Sequence, residues 1–318
     1  MKLKIIFLLT ALIIISGCDF NGGNDAVLEK DIYKGTQGVY LDFFDLPDEV
    51  YEGEEISYIV RVENKGPYQV NGAKLLVNLE KEYMYFTSQG CDGNVCLKQI
   101  PVLDGKDIYN TLNDFEVINL QIKTKDLDDL SEVHESLLLT SFCYDYMGSV
   151  YTETCMDTDP YDEFVGEKLC SVKDVISLSE GQGGPVVINR VEPRIRYLDD
   201  KILPQYKVYI ANIGKGEVTT WGQSSKVCDN KELDESYNTI ELTEFEVSGI
   251  KLSEGEIECI PSVIYLRNNE DFITCTFTEA NAISRSIQPY VTPLKIELKY
   301  GYVESSSKEI KINKLLKY

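Results

Sequence analysis

The feature that most constrains the fold is a strand-and-turn pattern that occurs twice in the chain. In segment 58–66, the apolar residues 58, 60 and 62 alternate with mostly polar ones, and Asn64-Lys65-Gly66 ends the run. Alternation with a period of two is typical of a half-buried strand, and Asn and Gly suit the turn that follows. The pattern recurs 148 residues later in segment 206–214, with Asn212 and Gly214 at the matching positions. The repeat predicts two halves that fold alike.

Further alternating runs fill both halves, and neither half contains a long run with a helical period. Each half is long enough to bury about 68–70% of its unfolded surface, so each can hold its own core. We therefore predict an all-β fold of two tandem immunoglobulin-like β-sandwich domains, residues 38–182 with insertions and residues 183–318. Segment 179–185, with three glycines and a proline, is the predicted linker.

Two hairpins are predicted from the spacing of apolar runs and turn residues. Residues 137–146 and 149–156 alternate on either side of Gly148, and this arrangement favours a turn at the glycine. Residues 294–300 and 310–312 alternate on either side of a serine-rich stretch, 304–307, which is the second predicted turn.

The first eighteen residues have the pattern of an export signal. Two lysines precede an apolar run of 11 residues, too short for the roughly 20 that span a membrane. Ser16 and Gly17 then precede Cys18, which resembles the lipobox of secreted lipoproteins. The resemblance implies removal of residues 1–17, a lipid on Cys18, and a polar tether over 18–37. We expect the chain on the outer face of the cytoplasmic membrane or the cell surface; the alternative is an ordinary cleaved signal peptide.

The remaining eight of nine cysteines make an even set, as a disulfide framework requires. Eight cysteines allow 105 pairings, and local spacing favours Cys91–Cys96, Cys143–Cys155 across the predicted hairpin, and Cys259–Cys275. Cys170 and Cys228 are left to bridge the two domains. A metal site is the weaker alternative, because no second cysteine pair matches the spacing of the first. The full set is Cys91, Cys96, Cys143, Cys155, Cys170, Cys228, Cys259 and Cys275.

Two stretches resemble sequences of known prokaryotic surface proteins. The series Pro47, Gly53 and segment 58–66 resembles the opening strands of CARDB-type and related immunoglobulin-like domains. The stretch from Cys143 to Val175, including Cys155-Met-Asp-Thr-Asp-Pro-Tyr, resembles one found in archaeal exported proteins. Together these resemblances imply a sandwich fold in an archaeal cell-surface setting.

The chain is strongly acidic, with a formal net charge of −22. Removal of residues 1–17 takes two lysines and no acids, which makes the charge −24. Such a balance repels nucleic acid, whose binding depends on Lys and Arg contacts to phosphate. We therefore expect no nucleic-acid partner.

The sequence contains none of the motifs that carry common catalytic chemistry. His134 is the single histidine and lies in an acidic stretch, so we expect a surface residue rather than a general base. HExxH, Walker, GxSxG and dinucleotide-binding motifs do not occur. We expect no enzyme; a carboxylate-based hydrolase is the least favoured alternative, since it needs two facing acids that sequence alone does not single out.

The sharpest candidate site is an acidic loop. Asp157, Asp159, Asp162 and Glu163 place four carboxylates within seven residues, a density that suits the six to eight oxygen ligands of Ca²⁺. The spacing is not that of an EF-hand, and a solvated loop is the alternative. Calcium is the one candidate cofactor.

Tyrosine pairs are the second candidate feature, because tyrosine offers a flat apolar face and a polar tip. Tyr144 with Tyr146, and Tyr83 with Tyr85, each fall on one face of a predicted strand. We expect a non-catalytic surface lipoprotein that binds an envelope protein or glycan, in adhesion or envelope assembly. The alternative is a calcium-dependent glycan-binding module.

Overall fold

The computed structural model describes residues 32–163, 166–229 and 237–315, and it confirms the all-β fold. The predicted signal peptide, Cys18 and the tether as far as residue 31 lie outside the described residues. Within the described ranges, no helix has the length and apolar character needed to cross a membrane.

In the described ranges the strands form three sheets, and the helical elements between them are short. The elements are β1 Val39–Phe44, β2 Glu49–Tyr51, β3 Glu55–Asn64, β4 Val70–Leu79, β5 Met84–Phe86, β6 Val95–Leu103, β7 Asp114–Thr124, β8 Val133–Met156, β9 Ile176–Ser177, β10 Val186–Tyr197, β11 Lys201–Asn212, β12 Glu217–Thr219, α1 Ser224–Cys228, β13 Thr239–Val247, β14 Ile250–Lys251, β15 Ile257–Ile260, β16 Val263–Tyr265, β17 Glu270–Phe277, a 3₁₀ turn Glu279–Asn281, β18 Ile283–Ser284 and β19 Tyr290–Asn313.

Two strands of 24 residues, β8 and β19, form the centre of the molecule. They pair antiparallel over their whole length, from Tyr290 opposite Met156 to Asn313 opposite Val133. These two strands belong to a nine-stranded sheet with the order β14-β13-β19-β8-β4-β6. Three further strands complete it: β12 and β2 pair with β19, and β16 pairs with β13. The pairing of β2 with β19 is parallel. Strands from both predicted halves therefore belong to one sheet.

Both predicted hairpins are wrong. Gly148 lies inside β8 opposite Leu298, and Ser305–Ser307 lie inside β19 opposite Ser141–Leu139. The ladder between the two strands continues through the glycine and the serines, so neither stretch has to turn. The local tendency of these residues to form turns is overridden by a partner strand of equal length.

Two smaller sheets lie against this central sheet. One has the order β1-β3-β7-β5, and the other has the order β15-β17-β11-β10-β9 with β18 attached to β11. Their inward residues join the central sheet in one continuous hydrophobic cluster that includes Val60, Phe142, Val208 and Ile296. Since burial of apolar surface supplies the main driving force for folding, this shared core couples the two halves.

Four buried tyrosines lie where the halves meet: Tyr144 and Tyr146 on β8, and Tyr300 and Tyr302 on β19. Neighbouring rings meet at centroid distances of 5.7 to 6.4 Å, in tilted or edge-on contacts. Offset and edge-on contacts are the favoured geometry for aromatic pairs.

The predicted linker is wrong, because this segment packs onto the tyrosines. Residues 182–185 are buried, and the Tyr146 hydroxyl donates a hydrogen bond of 3.1 Å to the Gly183 carbonyl. A Cβ on Gly184 would lie 2.7 Å from the Tyr300 hydroxyl oxygen. Gly183 and Gly184 therefore allow the backbone to pack closely against the tyrosine side chains, and they do not form a flexible linker.

Four disulfides brace the structure, and two differ from the sequence prediction. Cys91 pairs with Cys96 and Cys259 with Cys275, as local spacing favoured. The predicted Cys143–Cys155 and Cys170–Cys228 pairings are wrong: the bonds are Cys143–Cys228 and Cys155–Cys170. Without a hairpin at Gly148, residues 143 and 155 lie far apart along a single strand.

The Cys143–Cys228 bond holds α1 on the outer face of the central sheet. Beside it, Lys74 pairs with Asp229 at 2.6 Å, and the Ser224 hydroxyl donates to Asp145 at 2.8 Å. A small apolar cluster of Leu76, Val303 and the two cysteines lies beneath the helix. The helix is therefore fixed to the sheet by covalent, ionic and apolar contacts.

Candidate functional site

In the acidic loop predicted to bind calcium, three of the four carboxylates form ion pairs with basic side chains. Lys168 Nζ lies 2.7 Å from Asp162 Oδ1 and 3.3 Å from Asp157 Oδ2. These contacts raise the pKa of Lys168, and the hydrogen bond that Lys168 donates to Asp162 contributes most. Arg285 pairs with Glu163 at 3.3 Å.

Two carboxylates of this loop organise its backbone instead of pointing outwards together. The Asp159 amide donates to Asp157 Oδ1 at 3.0 Å, and the Glu163 amide donates to Asp159 Oδ1 at 2.8 Å. No group of three or more candidate metal ligands comes together in the part of the chain that the structure describes. A calcium site here stays a prediction, and the observed contacts give these four residues a structural role.

His134 occupies a structural position at the start of β8. Its Nε2 lies 3.0 Å from Glu80 Oε2, and its ring stacks on Tyr83 with centroids 3.4 Å apart. The Ser136 hydroxyl donates to the same Glu80 oxygen at 3.0 Å. Burial acts to raise the pKa of Glu80, but the hydrogen bonds from His134 and Ser136 outweigh it and hold the pKa below its ordinary value. The serine and the histidine share a carboxylate oxygen, which is not the nucleophile–base–orienter order of a hydrolase triad.

The tyrosines that the sequence offered as a binding platform are placed elsewhere. Tyr144 and Tyr146 are each 1% exposed, so neither can face a ligand. Tyr83 is engaged with His134, and Tyr85 lies on the short strand β5. Other tyrosines, Tyr33 and Tyr151, line a cleft at the surface.

A cleft of about 710 Å³ lies beside the point where the described chain begins. Three segments that are distant in sequence line it: residues 33–34, residues 149–151 of β8, and residues 177–182. The first segment is held in place by backbone pairing, since Gly35 N donates to Glu180 O at 2.8 Å and Gly183 N donates to Gly35 O at 2.7 Å. The end of the predicted tether is thus docked on the body of the protein.

Two tyrosines, Tyr33 and Tyr151, line the cleft, and a third, Tyr68, packs against Tyr33. The Tyr33 ring lies 6.0 Å from that of Tyr68 and 6.4 Å from that of Tyr151, in tilted contacts. Tyr68 is anchored behind them, because its hydroxyl donates to Ser149 Oγ at 2.7 Å and its ring meets Tyr146 edge-on. Tyr151 is 63% exposed and presents its ring to solvent.

The charges at the cleft are paired. Lys34 Nζ lies 3.3 Å from Glu180 Oε2 at the rim. Beside Tyr151, Lys295 Nζ lies 5.7 Å from the ring centroid and pairs with Glu297 at 2.9 Å. The hydrogen bond with Glu297 is the main cause that raises the pKa of Lys295. The cleft therefore combines aromatic faces and hydroxyl groups with charges that cancel locally.

Sequence reasoning missed this cleft because no local motif signals it. Tyr33 lies within the predicted tether, Tyr151 in the predicted hairpin, and Glu180 in the predicted linker. The backbone bonds of Gly35 with Glu180 and Gly183 join the first and third of these segments, and no local sequence pattern predicts that contact.

Comparison with known proteins assigns this chain to no family. No protein-family model matches the chain, and no curated protein matches its sequence.

Several solved structures show weak similarity to this chain. The sporulation control protein Spo0M from Bacillus subtilis has 11% identity and a TM-score of 0.16, over 54% of this chain and 79% of that one. The C-terminal globular domain of an oligosaccharyltransferase from Pyrococcus abyssi has 8% identity and a TM-score of 0.19, over 85% and 46%. The secreted serine protease VesC from Vibrio cholerae has 7% identity and a TM-score of 0.19, over 89% and 53%. Scores this low carry no argument, and the resemblance to CARDB-type domains stays a prediction.

Proposed function

We propose that this protein is a lipid-anchored, non-catalytic binding module of the cell surface. The observation that carries the proposal is the preformed cleft, in which Tyr33 packs against Tyr68 and Tyr68 is itself held by a hydrogen bond to Ser149. Such preorganisation lowers the ordering cost of binding and favours a recognition site.

The setting is supported by the disulfides. Four disulfides indicate an exported or extracellular protein, because such bonds persist in oxidising compartments. The lipobox-like Cys18 supplies the proposed anchor, and a diacylglycerol-type lipid would hold the chain stably to a membrane.

The anchor is tested by mass spectrometry of the mature N-terminus of the full chain, with Cys18→Ser as control. We expect a lipid-modified Cys18 and membrane-bound protein, and loss of the protein from the membrane fraction in the variant. An unmodified Cys18, or cleavage at another position, would reject the lipid anchor.

The binding role is tested by sedimentation of detergent-solubilised full chain with envelope fragments of the cells that produce it. We expect the wild-type chain to co-sediment and Tyr151→Ala to do so markedly less. Equal sedimentation of the two proteins, or none by either, would contradict a binding role for the cleft.

A further inference from the structure

The chemistry of the cleft identifies a class of ligand, and this step rests on the proposed binding function. We infer that the cleft binds a neutral saccharide, with a sugar ring placed on Tyr151 and its hydroxyl groups bound by Ser177 and Ser179, which also line the cleft.

The aromatic wall supplies the apolar half of the recognition. Tyr151 is 63% exposed although it sits on a strand whose preceding residues, Ser149 and Val150, are buried. Tyr33 meets it at an angle of 56° between ring planes, so the two rings form a corner rather than a flat patch. A pyranose has apolar C–H faces that match an aromatic ring, and a corner contacts two of its edges at once.

Another lining segment, residues 177–182, supplies the polar groups. Ser177 and Ser179 lie on the cleft surface and are exposed. A serine hydroxyl donates one hydrogen bond and accepts others, as does each hydroxyl group of a sugar. A wall of small hydroxyl side chains therefore matches a ligand that is rich in hydroxyl groups.

The local charge balance argues that the ligand is neutral. Lys34 pairs with Glu180, and Lys295 pairs with Glu297, so each cation beside the tyrosines has an acidic partner. An anionic ligand would have to displace Glu180 or Glu297 and would also meet the repulsion of a chain with a net charge of −22. A cationic ligand would have to displace a lysine. A neutral ligand disturbs neither pair.

The test uses the full chain in detergent micelles and isothermal titration with three neutral tetrasaccharides: N-acetylglucosamine, mannose and glucose oligomers. We expect at least one to bind, Tyr151→Phe to keep the affinity, and Tyr151→Ala to weaken it about tenfold, as loss of one aromatic contact implies. Tyr161→Ala is the matched control, because Tyr161 is 69% exposed and does not line the cleft. Binding by none of the three, or equal weakening by both alanine variants, overturns the inference.

Envelope fragments separate the ligand class from the binding function. Periodate cleaves the vicinal diols of saccharides, whereas protease removes proteins from the same fragments. Sedimentation that depends on Tyr151 and is lost after periodate supports the saccharide. If it is lost after protease only, the ligand class is wrong and the binding function stands. If sedimentation never depends on Tyr151, both fail.

Discussion

Asn64 and Asn212 occupy matching positions in the two halves of the chain and make the same three hydrogen bonds. Each side-chain oxygen accepts from the backbone amide two residues later, at 3.2 Å from Gly66 and 3.1 Å from Gly214. Each Nδ2 donates to the carbonyl four residues later, at 2.7 Å and 2.9 Å. Each oxygen also lies 3.4 Å from the hydroxyl of a buried tyrosine, Tyr302 in one half and Tyr146 in the other. The Tyr146 hydroxyl shares its single proton between Asn64 and the nearer Gly183 carbonyl.

This correspondence shows that the sequence repeat is also a structural repeat. The glycine two residues after each asparagine is needed for the same reason, since a Cβ on Gly66 or Gly214 would lie 1.9 Å or 2.1 Å from that tyrosine oxygen. Each asparagine therefore links the turn after its own strand to one of the four buried tyrosines between the halves.

We predict that Asn64→Ala and Asn212→Ala each lower the free energy of unfolding by about 1–3 kcal/mol, because the backbone amide two residues later and the carbonyl four residues later lose the side chain that pairs with them. Urea denaturation measures the change. Asn71→Ala is the control: Asn71 is exposed and bonds only to exposed Gln69, so a change near zero is expected. An Asn64 variant as stable as the control would mean that this hydrogen-bond set contributes nothing.

The sequence was sufficient to predict strands with one buried and one exposed face. β3 alternates throughout and β11 alternates over residues 204–210, and both end at an asparagine turn, so a period of two identifies them. β8 and β19 were missed as single strands because Gly148 and Ser305–Ser307 favour turns locally. Their extended form depends on pairing between residues about 150 positions apart, which a local pattern does not contain.

The candidate site was predicted less well, for a related reason. The Asp157–Glu163 loop was visible as a dense run of acids, but its cationic partners Lys168 and Arg285 are fixed only by the fold. The cleft depends on segments near residues 33, 150 and 180, which only the tertiary structure brings together.

The second prediction concerns two glycines, Gly184 in the predicted linker and Gly148 in a predicted hairpin turn. A Cβ on Gly184 would lie 2.7 Å from the Tyr300 hydroxyl oxygen and 3.0 Å from the Tyr146 ring, whereas a Cβ on Gly148 meets only the Val186 carbonyl oxygen at 3.7 Å. We expect Gly184→Ala to cost about 1–3 kcal/mol through overpacking. Gly148→Ala should be tolerated, because 3.7 Å is an ordinary contact.

Thermal and urea unfolding of the two glycine variants measure these costs. The comparison also checks the fold at these points: a flexible linker at 179–185 would tolerate Gly184→Ala, and a tight turn at residue 148 would not tolerate Gly148→Ala. The reverse order of stabilities would therefore contradict both the buried segment and the continuous β8.

The third prediction concerns the disulfide that fixes α1. Cys143 and Cys228 are 85 residues apart in sequence, and Cys91 and Cys96 are 5 apart. In the chain-entropy model the longer closure stabilises by about 4.5 kcal/mol and the shorter by about 2 kcal/mol. Replacing both cysteines of the long loop with alanine should therefore destabilise the protein more than the same change in the short loop.

Peptide mapping of the non-reduced protein checks the pairing directly, and denaturation of the two double variants checks the ranking. Recovery of a Cys143–Cys155 peptide would contradict the structure. An equal loss of stability in both variants would mean that loop closure does not set the contribution of these bonds.

The last prediction uses the buried hydroxyl of Tyr144. Burial raises the pKa of Tyr144 well above its ordinary value, with smaller contributions from the neighbouring tyrosines and Glu304. Below pH 10 the hydroxyl is neutral in both folded and unfolded chains and adds no pH dependence. Above pH 10 it ionises only in the unfolded chain, so stability falls as the pH rises, by about 1.4 kcal/mol per pH unit for one such group.

Tyr144→Phe removes this hydroxyl. The free energy of unfolding of the variant should therefore fall less steeply than that of the wild-type chain between pH 10 and 11. The difference between the two slopes should correspond to at most one proton. At pH 7 we expect equal or greater stability, because the Tyr144 hydroxyl has no hydrogen-bond partner among the described residues.

The control is Tyr109→Phe, at a side chain that is 91% exposed and packs against no core. Urea midpoints of the wild-type chain and both variants across this pH range give the slopes. A Tyr144 variant with the wild-type slope would show that this hydroxyl ionises in the folded protein, and hence that water reaches the four tyrosines between the halves.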